Sequence, residues 1–401
     1  MSLSRIVPAS YLQTMFFSWN PIFATQSRRP IMTPYKKLKT VIAVSLLFSI
    51  CSFSSAQRIP HRAGTAKNNV QSIVANATVF ATDLRFPRGL KFGPDSRLYV
   101  AESGLGGEDT TIGLCDQDPN FGPFQSGRTS RVTSFDLQGN RTVVVDHLPS
   151  SIDIFGETFG AADVAFLGNT LYIVTNGSGC SQGVSYANNG ILRLNGDGTL
   201  TQINDLSAWT QNHPVANPPC CDFDAEGVWW TLTSSHGVFY TNNANTGDFL
   251  RVSPDGTTTR VIDMSATVGL NAWFGPTGVA ERGNFYIANL GQFPITPGSS
   301  SLYKLLPNHT LMKMFDGLTA VIGMVFVDGK LYALETSTAA DFPLPGSGKI
   351  VRVSDSGEIT DVLTGLTFPT AMTAGPDGAL YVSEFGYGDP GFGRILQVRL
   401  K

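Results

Sequence analysis

Apolar and polar positions recur in the same order six times along the chain, each time as a Gly/Pro turn followed by two short apolar runs. The first copy reads Phe86-Pro-Arg-Gly-Leu-Lys-Phe and then Leu98-Tyr-Val-Ala-Glu102. The last copy reads Phe368-Pro-Thr-Ala-Met-Thr-Ala and then Leu380-Tyr-Val-Ser-Glu384. The second run also returns as Leu171-Tyr-Ile-Val-Thr175, Phe239-Tyr-Thr-Asn-Asn243, Phe285-Tyr-Ile-Ala-Asn289 and Leu331-Tyr-Ala-Leu-Glu335.

A repeat of this length with short strands and tight turns is typical of a β-propeller, in which neighbouring small sheets stack around an axis. The sequence therefore predicts an all-β protein, a six-bladed β-propeller with four-stranded antiparallel blades. The last copy provides only three strands, ending at Arg394-Ile-Leu-Gln-Val398. We expect the N-terminal segment Thr78-Val-Phe-Ala-Thr82 to complete that blade, because an open ring would leave two sheet edges exposed.

Turn lengths divide the predicted propeller into two faces. Short turns such as Pro94-Asp95-Ser96 and Pro254-Asp255-Gly256 supply the positive φ that tight hairpins need. Long connections fall on the other side, at about 103–130, 176–189, 290–301, 336–348 and 385–393 within blades, and at 147–158, 204–223 and 264–274 between blades. Long loops on a rigid scaffold usually carry binding sites. We therefore expect the long-loop face to be the functional one.

The N-terminal segment has the pattern of a secretory leader. Residues 32–56 combine a basic start, an apolar stretch and the small residues Ser54-Ser55-Ala56, as a signal peptide does. We interpret residues 1–31 as an extension of the gene model, 57–76 as a linker and 77–401 as the propeller domain. The prediction is export to the periplasm or the cell exterior, with no membrane insertion after cleavage.

Charge excludes one class of partner. The chain has 28 basic and 31 acidic residues, and residues 1–56 hold six of the basic and none of the acidic ones. The mature chain therefore keeps 22 basic against 31 acidic residues. An acidic surface without basic clusters is unsuited to nucleic acid, so we predict no nucleic-acid partner. We expect a monomer that binds an unknown protein or small molecule on its long-loop face.

Four cysteines remain after leader removal, all in predicted long loops: Cys115, Cys180, Cys220 and Cys221. An even number of cysteines in an exported protein favours disulfides, with three pairings open. One pairing joins Cys115 to Cys180 and leaves a vicinal Cys220–Cys221 bridge. A metal site is the less favoured interpretation, since the C-x₂₋₄-C spacing is missing.

One polar residue ends the second strand of each repeat, and these six form the candidate ring: Glu102, Thr175, Asn243, Asn289, Glu335 and Glu384. If they surround the mouth of the channel, their oxygens are suitable ligands for Ca²⁺, which is the cofactor we consider. The alternative is that they cap strand ends by bonding to backbone of adjacent segments. Repetition favours capping, because structural residues recur in repeats and catalytic residues do not.

A second candidate site is less repetitive. Asp222, Asp224 and Glu226 occupy alternate positions, which would place them on one face of an extended strand. Glu108, Asp109, Asp116 and Asp118 form another acidic group beside Cys115. Four aromatic residues, Trp209, Trp229, Trp230 and Trp273, can stack on a flat ligand or pack between blades, and packing is favoured.

Several longer motifs together resemble one known family. They include Gly127-Arg-Thr-Ser-Arg-Val after the Cys115 loop, Asp222-Phe-Asp-Ala-Glu-Gly-Val-Trp-Trp, and Asn289-Leu-Gly-Gln-Phe-Pro-Ile-Thr-Pro-Gly. With the first and last repeats they resemble the ScyD/ScyE family of secreted bacterial proteins across about residues 77–400. The resemblance implies a six-bladed propeller of the NHL/TolB-like group. That family has no established activity, so no catalytic residue is carried over.

Two functions remain open from the sequence. The first is a binding scaffold without enzymatic activity, which the scaffold-like repetition and the absence of a G-x-x-x-x-G-K-[ST] phosphate-binding motif favour. The second is a metal-dependent, Ca²⁺-type lactonase or esterase with its site at the propeller mouth. Whether the protein is an enzyme is left undecided, with the non-enzymatic function preferred.

Overall fold

The computed structural model describes residues 76–218, 225–267 and 275–400. The predicted leader, the segment before it and all of the linker except Asn76 lie outside these ranges. Within them the protein is nearly all β, with one α-helix and two 3₁₀ turns at Cys180–Gln182 and Met264–Ala266. No helix in the described ranges is long and apolar enough to cross a lipid bilayer.

The strands form six antiparallel sheets, each of which is one blade. The chain begins with β1 (Ala77–Leu84), and blade 1 follows with β2 (Pro87–Phe92), β3 (Leu98–Glu102), β4 (Gln125–Phe135), β5 (Arg141–Ile152) and the short β6 (Thr158–Phe159). Blade 2 contains β7 (Ala161–Leu167), β8 (Thr170–Thr175), β9 (Gly190–Leu194) and β10 (Leu200–Asp205), after which comes helix α1 (Leu206–Asn212).

The remaining blades repeat this order. Blade 3 contains β11 (Trp229–Ser235), β12 (Val238–Asn243), β13 (Asp248–Val252) and β14 (Thr258–Asp263). Blade 4 contains β15 (Pro276–Glu281), β16 (Phe285–Asn289), β17 (Ser300–Leu305) and β18 (Leu311–Leu318). Blade 5 contains β19 (Val321–Val327), β20 (Lys330–Glu335), β21 (Gly348–Val353) and β22 (Ile359–Leu366). Blade 6 contains β23 (Ala371–Ala374), β24 (Leu380–Glu384) and β25 (Gly393–Val398), and its fourth strand is β1.

The first strand of each blade is the innermost one. Strands β2, β7, β11, β15, β19 and β23 contact one another in this order, and β23 contacts β2 again. Six blades around a closed ring of inner strands define a six-bladed β-propeller, so the predicted fold class is confirmed. Blade 1 differs from the expectation of four strands because β6 adds a short fifth strand by pairing with the end of β5.

The N-terminal strand closes the ring as predicted. Strand β1 pairs antiparallel with β25, from Ala77 opposite Val398 to Leu84 opposite Gly393. Leu84 is buried and packs among apolar residues of both blade 6 and blade 1, including Ile395. The first and last parts of the described chain therefore share one sheet, with β1 as its outermost strand, and the ring is closed within blade 6.

Aromatic contacts between neighbouring blades explain why Tyr recurs in the second strand. At five of the six junctions this Tyr lies against a Phe of the adjacent blade, with ring centroids 4.4–5.1 Å apart. The pairs are Tyr99–Phe166, Tyr172–Phe239, Tyr240–Phe285, Tyr286–Phe326 and Tyr381–Phe92. Each such pair contributes roughly 0.5–1.5 kcal/mol beyond the burial of its area. The repeated motif thus encodes the junction between blades.

The lengths of the connections between strands define a short-turn face and a long-loop face. First and second strands of every blade, and third and fourth strands of blades 1 to 5, are joined by turns of two to five residues. Several loop predictions were wrong at their limits: helix α1 lies within the predicted 204–223 loop, and β17 begins at Ser300. In blade 1, β4 begins at Gln125 and β5 continues to Ile152. Bulges between Gly127 and Thr133 let these two strands bend and stay paired beyond the predicted limits.

The closing strand provides a stability test. Leu84→Ala should lower the free energy of unfolding by about 2–5 kcal/mol, because it empties a buried site between two blades. Val79→Ala on the same strand is the control, since Val79 is exposed and its loss should change stability by less than about 0.5 kcal/mol. Equilibrium denaturation measures both values. Equal effects would contradict the closing role of β1.

Candidate functional site

The candidate ring residues end strands β3, β8, β12, β16, β20 and β24, where the sequence placed them. All six side chains are buried, with no more than 7% of any residue exposed. In the described part of the chain, their side-chain hydrogen bonds stay within the same blade or reach the segment leading into it. No two ring residues are hydrogen-bonded to each other.

The three carboxylates of the ring share one arrangement. Glu102 accepts the backbone N–H of Arg85 at 2.6 Å, and Glu335 and Glu384 accept those of Thr319 and Thr367. Each carboxylate also faces a cation directly opposite on the third strand, in the pairs Glu102–Arg131, Glu335–Lys349 and Glu384–Arg394. Each carboxylate therefore joins the end of a strand to the segment that enters its blade.

The amide and hydroxyl members have similar backbone partners. Thr175 Oγ1 bonds with the carbonyl and the N–H of Gly190. Asn243 Oδ1 accepts from Val228 N at 3.1 Å, and Asn289 Oδ1 accepts from Ser301 N at 2.8 Å. These contacts cap the ends of strands, which is the alternative to Ca²⁺ binding that the sequence left open.

Burial changes the pKa of two carboxylates of the ring. Loss of water raises the pKa of Glu335 and of Glu384, and the opposing Lys349 and Arg394 act to lower it. In the described part of the chain, no three His, Cys, Asp or Glu side chains are grouped so that they could hold a metal ion. Most ring oxygens already accept hydrogen bonds from protein groups in the described ranges, and Glu335 Oε2, which accepts none there, lies 3.4 Å from Lys349, so the ring offers fewer free ligands than the six to eight oxygens that Ca²⁺ prefers. Metal binding by the ring stays a prediction.

The second acidic site is only partly described. Asp222 and Asp224 lie outside the described residues, as do Cys220, Cys221 and Trp273. Glu226 lies in a turn before β11, not on a strand, and is buried against Ser181 of the blade 2 loop, whose hydroxyl donates to it. Burial raises the pKa of Glu226.

One disulfide is present in the described ranges, and it is one of the predicted pairs. Cys115 of the loop after β3 is bonded to Cys180 of the loop after β8, with Cα atoms 6.2 Å apart. The bridge ties the long loops of blades 1 and 2 together. Of the neighbouring acidic residues, Asp118 is buried and accepts the backbone N–H of Asn120, while Glu108, Asp109 and Asp116 are exposed.

The predicted tryptophans divide between packing and the central channel. Trp229 is fully buried between blades, and Trp209 stacks on His213 at 3.8 Å. Trp230 lies on the channel wall, which inner-strand residues of all six blades form. The free space in the channel is about 40 Å³, room for about three water molecules.

Charged groups occupy one side of this channel. Asp163 is buried, accepts the backbone N–H of Leu232 and of Val164, and pairs with Lys91 at 3.2 Å. Its carboxylate lies directly over Gly89, where a Cβ atom would come within 2.0 Å of Oδ1. Gly89 is therefore required by the close approach of Asp163. Burial raises the pKa of Asp163, and Lys91 opposes that rise.

Arg88 is the functional candidate that sequence reasoning missed. The residues at the same place in the other inner strands are Ala162, Trp230, Thr277, Ile322 and Thr370. Arg88 is thus the one charged side chain at this position of the repeat. Comparison of the six repeats at that position is the signal that could have found it, because a residue that departs from a repeat is under a different constraint.

Beside the channel mouth, the segment after β5 contains an unusual carboxyl group. Asp153 Oδ1 accepts the backbone N–H of Phe155 and of Glu157 at 2.8 Å. Its Oδ2 is buried without a hydrogen-bond partner among the described residues. Burial and the nearby Glu157 carboxylate raise the pKa of Asp153 to about 7.

Similar solved structures share the fold. A Thermus thermophilus protein described as an oxidoreductase (glucose dehydrogenase) is 16% identical, with 80% of this chain and 99% of that chain covered and a TM-score of 0.51. Regucalcin, a calcium-binding protein from Agrobacterium tumefaciens, is 14% identical, with 80% and 92% covered and a TM-score of 0.50. A gluconolactonase from Xanthomonas campestris is 12% identical, with 80% and 89% covered and a TM-score of 0.47.

These neighbours are six-bladed β-propeller proteins, and at such identities they show the fold alone. No protein-family model matches the chain, and no curated protein matches it either. The class defined by fold and comparisons is therefore the six-bladed β-propeller.

A substitution at Glu102 separates capping from metal binding. Glu102→Gln should destabilise the protein by about 3–5 kcal/mol, because it leaves the buried Arg131 without its counter-charge. The loss should be the same in EDTA and in Ca²⁺, measured as thermal unfolding. Exposed Glu108→Gln is the control and should have little effect. A Ca²⁺-dependent gain in the natural protein that disappears in Glu102→Gln would contradict capping.

The pKa of Asp153 predicts a pH dependence of defined sign. A raised folded-state pKa means that the neutral acid stabilises the fold below about pH 4, and that this contribution is lost as the pH rises towards about 7. Asp153→Asn should therefore be more stable than the natural protein at pH 8, by at least about 1 kcal/mol. The gain should shrink as the pH falls from 7 to 4 in melting experiments.

The control for this experiment is Asp136→Asn. Side-chain and backbone hydrogen bonds involving Asn140 lower the pKa of the exposed Asp136, so its replacement should bring no gain at pH 8. A gain for Asp153→Asn that is independent of pH would show that the carboxyl charge is not its cause.

Proposed function

We propose that the protein is a non-enzymatic binding propeller whose long-loop face docks another protein. The observation that carries this proposal is the distribution of exposed apolar side chains. Of twelve large ones in the described ranges, eight lie in long loops: Leu105, Ile112, Leu114, Ile154, Phe155, Phe293, Leu344 and Phe392. Exposed apolar groups concentrated on one face are typical of interaction surfaces.

The rigidity of these loops supports the same function. The Cys115–Cys180 bridge joins two of them, and the Tyr387 hydroxyl donates to Phe155 O across the junction of blades 6 and 1. Phe293 and Phe342, from the loops of blades 4 and 5, lie with ring centroids 5.2 Å apart. Preorganised loops lower the entropy cost of association.

Family and location are part of the proposal. The sequence motifs resemble the ScyD/ScyE family, and we assign the chain to that group of exported propellers as a hypothesis. The disulfide agrees with an oxidising compartment, where such bonds persist.

The metal-dependent hydrolase receives less support. Such a site requires several free oxygen ligands, and Asp163 is the sole acidic residue among those that line the described channel. Its oxygens already accept from Lys91 and from two backbone N–H groups. Likeness to a calcium-binding protein at 14% identity concerns the fold and carries no ligand set.

Site-specific photo-cross-linking tests the docking face. We expect p-benzoylphenylalanine at positions 114, 155 and 293 to form adducts with a second protein in cells that export the chain. Positions 143 and 312 are matched controls, since Val143 and Met312 are exposed apolar residues on outer strands. Equal adducts at both sets, or lactone hydrolysis abolished by EDTA, would contradict the proposal.

A further inference from the structure

We propose that the mouth of the central channel is a binding site for a small carboxylate, with Arg88 as the recognising residue. The site lies where β2 begins, between the inner strands and the segment that carries Glu157 and Thr158. It borders the apolar docking surface of the proposed function, since Ile154 and Phe155 lie in the same segment as Glu157, but it does not rest on that function.

The guanidinium of Arg88 has N–H groups that no residue in the described ranges accepts. Nη2 donates to Thr158 O at 2.6 Å and contacts Glu157 Oε1 at 3.3 Å. Nε and Nη1 make no hydrogen bond to any residue in the described ranges. Arg88 is nevertheless buried, with 7% of the residue exposed, and it lines the channel. A buried guanidinium with unused N–H groups in the wall of a channel is a site for an anion.

The charged side chains of the channel wall favour an anion. The charged members of the wall are Arg88, Lys91 and Asp163; Lys91 is paired with Asp163 at 3.2 Å, and Arg88 has the longer ionic contact to Glu157 at 3.3 Å, outside the wall. The rest of the wall is apolar or neutral, including Trp230, Ile322 and Met372. An anion that enters the channel gains from Arg88, and its competitor there is the Glu157 carboxylate, 3.3 Å from Nη2.

Glu157 indicates which anion fits. This side chain is one-third exposed and places a carboxylate oxygen 3.3 Å from the guanidinium, a long contact for a charge-assisted bond. An incoming carboxylate can displace Glu157 towards solvent and take over the same donor with better geometry. The channel has room for about three water molecules, which is enough for a carboxylate group, and the body of a ligand would lie outside the mouth.

The surroundings hold Arg88 ready for this role. Ser383 Oγ donates to the backbone carbonyl of Arg88 at 2.7 Å, and Thr158 O fixes one end of the guanidinium. The guanidinium carbon lies 5.4 Å from the centre of the Trp230 ring, whose π face favours a cation there. Contacts from blades 1, 3 and 6 thus orient one side chain.

Binding of benzoate, compared with its uncharged isostere benzamide, tests the site by titration calorimetry on the full mature chain. We expect benzoate to bind and benzamide to bind at least about tenfold more weakly, because the charge-assisted bonds are lost. Arg88→Gln should weaken benzoate binding at least about tenfold as well. Glu157→Gln should tighten it severalfold, because the internal competitor for Nη2 is removed.

Arg251→Gln is the matched control, since Arg251 lies on β13 and donates a side-chain hydrogen bond to Ser253 Oγ, away from the channel wall. The Arg251→Gln variant should bind benzoate as tightly as the natural protein does. Equal binding of benzoate and benzamide would overturn the proposal, as would unchanged binding in folded Arg88→Gln or phosphate binding as tight as that of benzoate. If Arg88→Gln does not fold, weaker or unchanged benzoate binding in Glu157→Gln overturns it instead.

Discussion

The contact between an aromatic ring of one blade and that of the next is the interaction on which the structure depends. A four-stranded sheet of this size cannot bury both of its faces alone, so each blade needs a neighbour on either side. The Tyr in the middle of the second strand meets that need, as in Tyr172 against Phe239 at 4.4 Å. Because each junction requires the next, the ring has to close, and β1 paired with β25 closes it.

The polar residues that end the second strands have a structural role in the closed ring of blades. The strands end at the long-loop face, where the entering segment leaves N–H groups that need acceptors. Glu102, Glu335 and Glu384 supply these acceptors, and the cation opposite each one neutralises it. Residues that recur with the repeat thus hold the scaffold, whereas Arg88 departs from the repeat and points to recognition.

Much of the fold could be predicted from the sequence because the repeat is local. The strand that ends at Glu102 and the pairing of Thr78-Val-Phe-Ala-Thr82 with the last strand follow from alternation, turn residues and the need to close an edge. The short β6 and the extension of β5 to Ile152 could not be predicted, since they depend on bulges and on a neighbouring segment. The approach of Asp163 over Gly89 is likewise a tertiary fact, set by two blades together. The candidate site was less predictable for a related reason: sequence position identified polar residues at strand ends but not the partners that occupy their oxygens, such as Arg131 for Glu102.

The bridge between Cys115 and Cys180 has a mechanical consequence. It connects loops of two separate blades, so a displacement imposed on one is passed to the other through covalent bonds. The two loops are therefore expected to move together, so that a molecule that displaces one loop must also displace the other.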